Sequence, residues 1–98
     1  MKDFIENSDI NVELNDIFKN RFNIDLFNNE NNLSADDNLL GYKFKLRARD
    51  LVYLLYDIEK AFDITILEED IDNIKFNTIN NIVTIISLKL EEKEIKVV

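Results

Sequence analysis

Four of the chain's twelve basic residues lie within seven consecutive positions of an otherwise acidic sequence. They alternate with apolar and aromatic residues, so an extended backbone would carry the cations on one side and the apolar side chains on the other. Guanidinium groups and the backbone N–H groups at a helix N-terminus both bind anions. This basic segment therefore predicts a surface that docks a protein partner or binds a phosphate or carboxylate group. Its cations are Lys43, Lys45, Arg47 and Arg49.

A simpler interpretation of the basic segment is that its cations are neutralised within the chain. Asp36, Asp37 and Asp50 lie close to it in sequence. Ion pairs of this kind at a protein surface contribute at most about 1 kcal/mol each. Docking and internal pairing both remain open at the level of the sequence.

Three tyrosines, Tyr42, Tyr53 and Tyr56, accompany the basic segment. An exposed aromatic side chain beside a cation is a typical contact residue of an interface. The alternative is a partly buried ring with a hydrated hydroxyl, which would only stabilise the fold.

Six of the seven acidic residues between positions 57 and 72 form a second candidate surface. A carboxylate face attracts partners with basic patches and orients the encounter, although it can also be a solvated face without a function. Asp70 and Asp72 have the spacing of a calcium loop, but the required glycine and closing glutamate are absent, so we predict no metal site. The acidic residues are Asp57, Glu59, Glu68, Glu69, Asp70 and Asp72.

The residue types that most enzymes need are missing. The chain contains neither cysteine nor histidine, which removes the thiolate nucleophile, the disulfide, the commonest general base and the commonest transition-metal ligand. No pair of carboxylates suggests a catalytic cleft. We therefore expect no enzymatic activity.

Length and charge limit the remaining classes. The chain has 98 residues, 46% of them hydrophobic, and a net charge of −8. We expect a single domain over residues 1–98, with a core at about 8–90 and residues 91–98 as a frayed helix end or a tail. The negative charge argues against nucleic acid and suits a monomer that meets protein partners. A polar start and the lack of a long apolar run predict a cytoplasmic protein without membrane insertion.

Apolar periodicity predicts helices over residues 10–22, 46–62 and from about 79 onward. Acidic residues that suit the start of a helix predict a short helix over residues 68–74. Ser8 or Asn11 is the expected cap of the first helix and Asn77 or Thr78 that of the last. The second helix should face the core with Leu51, Leu54, Leu55, Ile58, Ala61 and Phe62, and the last with Ile79, Ile82, Val83, Ile86 and Leu90.

Two stretches between the predicted helices lack a helical period. The loop after the first helix runs from residue 23 to about 46, and a loop of this length needs apolar anchors or a function. We expect the pairs Leu26–Phe27 and Leu39–Leu40 to anchor it. The second stretch, residues 63–67, should be an extended connection that inserts Ile64 and Ile66 into the core.

This arrangement resembles the acyl carrier protein family. FDITILEEDI, residues 62–71, is similar to the carrier stretch in which F-x-I-x-I leaves the second helix and acidic residues open the third. FNTINNIVTII, residues 76–86, looks like the carrier's start of the last helix. The resemblance covers residues 38–88 well and the first helix by pattern only. It implies an all-α, acyl-carrier-like four-helix bundle with a long loop between helices I and II and a short helix III.

The chain departs from this family at the residue that carries the prosthetic group. Where carriers have D-S-L, this sequence has Arg47-Ala48-Arg49, and alanine has no oxygen for a phosphodiester. The resemblance thus implies a carrier without a cofactor. The alternative is a genuine carrier with 4'-phosphopantetheine on an unconventional serine, for which Ser34 is the fallback.

A narrower resemblance rests on the segment LLGYKFKLRARDL, residues 39–51. It is similar to small acyl-carrier-related proteins of bacterial peptide-maturation (bacteriocin-type) loci. This resemblance implies a docking or scaffold partner of peptide-modifying or carrier-recognising enzymes. In the carrier family, basic partners recognise the acidic face of helices II and III. A regulatory mimic that occupies a carrier site without turnover is a further alternative.

Overall fold

A computed structural model of the chain describes residues 9–28 and 32–95, and within them the fold consists of four helices and no strand. The helices are α1 (Asp9–Phe22), α2 (Ala48–Phe62), α3 (Glu68–Asn73) and α4 (Ile79–Ile95). The predicted all-α class, the long loop between the first two helices and the short third helix are confirmed. None of the four helices is long and apolar enough to cross a membrane.

Helix α1 packs one apolar stripe inward and ends at an asparagine. Leu14 and Phe18 are fully buried. Asn23 adopts the left-handed conformation, with φ of 59°. Its N–H donates to the Lys19 carbonyl at 3.1 Å, and the N–H of Ile24 reaches back to Phe18 at 3.2 Å. This left-handed cap satisfies the last carbonyl groups and starts the loop. Of the two expected N-terminal caps, Asn11 lies inside the helix and Ser8 lies outside the described residues.

Helix α2 begins at Ala48, two residues later than predicted. Leu46 precedes the helix and is buried in the core. Leu54 and Ile58 are the fully buried residues of this helix, and Leu51, Leu55 and Phe62 pack against them at the edge of the core. The expectation that Ala61 faces inward is wrong, because it is exposed at the margin of the stripe.

The loop between α1 and α2 is held to the helices within residues 23–28 and 32–47. Leu26, Leu39 and Phe44 are buried, and the Phe44 ring lies edge-on to Phe18 with centroids 6.0 Å apart. Leu40 was expected to be an anchor but is 47% exposed. The N–H of Gly41 donates to the Asn38 carbonyl at 2.8 Å, and this turn directs Leu40 outward.

The loop is also tied to the start of α4 by backbone hydrogen bonds. The N–H of Leu39 donates to the Asn77 carbonyl at 2.9 Å, and the N–H of Asn80 donates to the Ala35 carbonyl at 3.0 Å. These bonds satisfy buried backbone groups that would otherwise lack a partner. The loop is therefore a packed layer of the fold, which positions the segment in front of α2.

Asn15 of α1 is a buried polar anchor of this loop. Its Oδ1 accepts a hydrogen bond of 2.6 Å from the backbone N–H of Leu26, and its Nδ2 donates to Asp25 at 3.3 Å. The Leu26 side chain is fully buried beside it. The side-chain amide thus satisfies the buried N–H of Leu26, which lies in a loop and has no backbone partner from a helix or a strand.

We expect Asn15→Ala to lower the free energy of unfolding by about 1–2 kcal/mol, because it leaves the buried Leu26 N–H without an acceptor. Urea denaturation followed by circular dichroism measures this loss. Asn20→Ala, at an exposed position of the same helix, controls for the change in helix propensity. Equal stability of the two variants would contradict the anchoring role.

The second half of the chain follows the sequence prediction closely. Residues 64–67 form an irregular connection with Ile64 and Ile66 buried, as expected. Thr78 is confirmed as the cap of α4, because its Oγ1 accepts the N–H of Asn81 at 3.1 Å. Helix α4 continues through residues 91–95, where a tail or frayed end was considered, and residues 96–98 lie outside the described range. Of the residues expected to face the core, Ile79, Ile82 and Ile86 are buried, and Val83 and Leu90 pack partly buried against them. Ile85 and Lys89 are buried as well.

Candidate functional site

Ala48 is the first residue of α2, and its methyl group is exposed to solvent. Its neighbours Arg47 and Arg49 are exposed as well. The backbone N–H of Arg47 donates to the Asp50 carboxylate at 2.8 Å, so this end of the helix is capped by the chain's own anion. An external phosphate or carboxylate at this end would compete with Asp50.

The basic segment is a turn followed by a short extended stretch, not one extended strand. Residues 42–44 form a turn, and Lys45 has a left-handed φ of 59°. Strict alternation is therefore wrong at the start of the segment, where Tyr42 is 81% exposed. Only Phe44 and Leu46 point into the core. The backbone reversal turns Tyr42 to the same solvent as the cations.

Internal ion pairing accounts for one of the four cations. Lys43 lies 3.6 Å from the Asp37 carboxylate. Within the described ranges Lys45, Arg47 and Arg49 form no ion pair. Asp36 instead accepts a hydrogen bond from Asn80. The simpler interpretation of the basic segment is therefore correct for Lys43 only.

The predicted acidic surface is divided between internal and exposed carboxylates. Asp57 forms a bidentate pair with Arg21, with both N–O distances 2.8 Å. Glu59 accepts the backbone N–H of Ile66 at 2.9 Å. These two carboxylates hold α2 to its neighbours. The exposed acidic residues of the set lie on α3 and are Glu68, Glu69 and Asp72.

Asp70, on the same short helix, is also engaged internally. Its carboxylate receives the Lys89 ammonium at 2.8 Å and the backbone N–H of Leu67 at 2.7 Å. One side chain thereby caps α3 and joins it to α4. Asp70 differs in this respect from its exposed neighbours on α3.

The Arg21–Asp57 pair lies in a groove of about 450 Å³ between α1 and α2, which Lys60 also lines. The hydrogen bond to Asp57 is the main cause that raises the pKa of Arg21, against a smaller opposing effect of desolvation. The guanidinium also lies over the Tyr53 ring, 5.2 Å from its centroid. The groove is thus closed on one side by a fixed ion pair.

The exposed face of α2 carries a stripe of cationic and apolar side chains that the sequence analysis did not predict. Both tyrosines of the helix are exposed, which favours the interface interpretation over that of a partly buried ring, and Val52 is 65% exposed between them and the helix start. Spacings of three, four, seven and eleven place these residues on one face. The same periodicity that identified the buried stripe could have identified this one. Its members, here named the outward stripe, are Arg49, Val52, Tyr53, Tyr56 and Lys60.

Ser34, the fallback attachment residue, belongs to a turn beside the start of α4. Its Oγ accepts the backbone N–H of Asp36 at 3.2 Å, and its own N–H donates to Asp37 at 2.8 Å. The next residue, Ala35, is buried and bonded to Asn80. The hydroxyl thus stabilises a turn that precedes α2 by more than ten residues.

Comparison of the chain with models of protein families, with curated proteins and with solved structures gave no significant match.

Proposed function

We propose that this protein is a non-catalytic, acyl-carrier-like module that lacks the phosphopantetheine serine and acts as a docking partner of other proteins. The observation that carries the proposal is Ala48. It opens α2 with an exposed methyl group, at the position where the family resemblance places the attachment serine. The residues at this helix end do not fit a phosphopantetheine group, since none of Arg47, Ala48 and Arg49 has a hydroxyl.

The order of the elements supports the likeness to carriers. A long packed loop separates α1 from α2, and a six-residue helix precedes the last one. Phe62, Ile64 and Ile66, which carry the F-x-I-x-I resemblance, all contribute to the core. The motif therefore has a structural role of the kind that the resemblance implies.

The surface around the start of α2 supports a docking role. Three exposed cations form no ion pair in the described ranges: Lys45 and Arg47, which follow the exposed Tyr42 closely in sequence, and Arg49, which belongs to the outward stripe. Arginine and tyrosine are the residue types most enriched at the energetic centres of interfaces. The resemblance points to peptide-modifying or carrier-recognising enzymes as the partners.

We expect no added mass when the natural chain is incubated with coenzyme A and a broad-specificity phosphopantetheinyl transferase, because the position of attachment is Ala48. Intact-mass spectrometry makes the measurement. Addition of one phosphopantetheine would refute the proposal, and peptide mapping would then show whether Ser34 is modified.

A matched variant tests the carrier-like body separately. Arg47→Asp, Ala48→Ser and Arg49→Leu together restore the family's D-S-L at the start of α2. All three positions are exposed, so the fold should be retained. We expect this variant to gain the phosphopantetheine mass that the natural chain does not gain. A folded variant that stays unmodified would contradict the likeness to carriers.

A further inference from the structure

The outward stripe of α2 contains no carboxylate, although the chain has 20 acidic and 12 basic residues. The three acidic residues of this helix are all bonded within the chain, including Asp57, which lies next to the stripe between Tyr53 and Lys60. Asp50 caps the helix, Asp57 pairs with Arg21, and Glu59 binds the N–H of Ile66. The stripe is consequently a positive and aromatic strip on a protein of net negative charge.

The cations of the stripe are placed at its two ends, with apolar groups between them. Arg49 and Lys60 are eleven positions apart, which corresponds to roughly 16 Å along a helix. Between them, Val52 is 65% and Tyr56 58% exposed. A basic residue in the first turn of a helix opposes the helix dipole. Arg49 thus stands where local helix stability favours an acidic residue.

The two tyrosines are held in place by neighbouring cations. The Arg21 guanidinium lies 5.2 Å from the centre of the Tyr53 ring, and the Lys60 ammonium lies 5.5 Å from that of Tyr56. Arg21 is itself fixed by its bidentate pair with Asp57. Aromatic side chains that are ordered before binding lose less entropy when a partner covers them.

We infer that the outward stripe binds an acidic, amphipathic segment of a partner protein. This inference rests on the proposed docking role and names the surface and the chemistry of the partner. Charge complementarity identifies the occupant: its carboxylates meet Arg49 and Lys60, and its apolar side chains cover Val52 and the two tyrosines. The charges are thus the reverse of those in carriers, where an acidic helix II recruits basic partners.

The test uses the full chain, labelled with ¹⁵N, and a synthetic helical peptide with a leucine stripe flanked by glutamates. A counterpart peptide with lysine in place of each glutamate is the charge control. We expect the glutamate peptide to shift the amide resonances of the outward stripe in a saturable manner and the lysine peptide to leave them unchanged. Equal binding of both peptides, shifts centred on α3, or no saturable shift at millimolar peptide would overturn the inference.

Charge reversal at the stripe provides the matched protein variants. R49E/K60E should raise the Kd for the glutamate peptide about tenfold. K19E/K75E makes the same change in net charge at two other exposed positions. This control should raise the Kd for the glutamate peptide much less. An equal loss in both variants would show that only overall charge matters and would overturn the inference.

Two further readouts distinguish binding at the stripe from a loss of fold and from self-association. Glutamate at position 49 suits the first turn of α2, so R49E/K60E should retain its circular dichroism spectrum. Resonances of the stripe that shift with protein concentration alone would identify a second copy as the occupant and overturn the inference. Phosphopantetheinylation of the natural chain would refute the proposed function, whereas the peptide titration would still decide the docking surface.

Discussion

Replacement of Phe18 by alanine should lower the free energy of unfolding by about 3–5 kcal/mol. The Phe18 side chain is fully buried in α1. Its ring meets Phe22 and Phe44 edge-on, with centroids 5.4 and 6.0 Å away. Through Phe44 it therefore joins α1 to the basic segment itself. A loss of this size is a large part of the total stability of a small domain.

The measurement is urea denaturation of the natural chain and the variant, followed by circular dichroism. Val12→Ala is the control in the same helix, because Val12 is among the exposed hydrophobic residues and its truncation should change stability by less than about 0.5 kcal/mol. A loss below about 1 kcal/mol for Phe18→Ala would show that the ring is not part of a closely packed core.

Asp70→Ala should produce the second large effect, a loss of about 2–3 kcal/mol. The substitution removes the nearer of the two acidic partners of Lys89, a buried lysine, together with the acceptor of the Leu67 N–H. Glu92, 3.5 Å from the ammonium, then remains as its acidic neighbour. Because α3 has no fully buried residue, this pair is a principal connection between α3 and α4.

Asp72→Ala is the matched control, since Asp72 is exposed on the same short helix. Lys89→Met in the Asp70→Ala background tests whether the loss arises from the buried ammonium, which then has only Glu92 as an acidic neighbour. The double variant should be more stable than Asp70→Ala alone, because it no longer buries an ammonium that has lost its nearer carboxylate. A double variant whose loss equals the sum of the single losses would show that the two residues act independently.

The pair also predicts how stability depends on pH. Burial raises the pKa of Asp70, but hydrogen bonds from Lys89 and the Leu67 N–H and the ammonium charge together lower it below its ordinary value of 3.8. The unfolded chain therefore binds a proton at higher pH than the native protein does. The stabilisation is complete above the ordinary pKa of the carboxyl and is lost as the pH falls through the native pKa.

Lys89 determines where the stabilisation by this pair is lost at high pH. The hydrogen bond to Asp70 raises the pKa of Lys89 above 10.5, against a smaller lowering by desolvation. Its stabilisation is present below that value and is lost as the pH rises through the native pKa. Asp70→Asn, which cannot titrate, supplies the comparison. The stability difference between the natural chain and this variant should be smaller at about pH 3 than at neutral pH.

The sequence by itself determined the elements of this fold. Periodic apolar residues located α1, α2 and α4, and acidic residues located the short α3. The start of α4 was expected at a cap by Asn77 or Thr78, of which Thr78 makes the hydrogen bond. Ile64 and Ile66 were placed in the core correctly despite their β-branched appearance. Such features depend on residues a few positions apart, so the information lies within each segment.

The tertiary structure decided which charged and aromatic residues are exposed and unpaired. Asp57 is paired with Arg21, 36 positions away, and Asp70 with Lys89, whereas Arg49 and the α2 tyrosines face solvent. Periodicity orients a side chain relative to its own helix, but an ion pair requires the position of another helix. The composition of the candidate surface was therefore set by the packing of α1 and α4 against the segments between them.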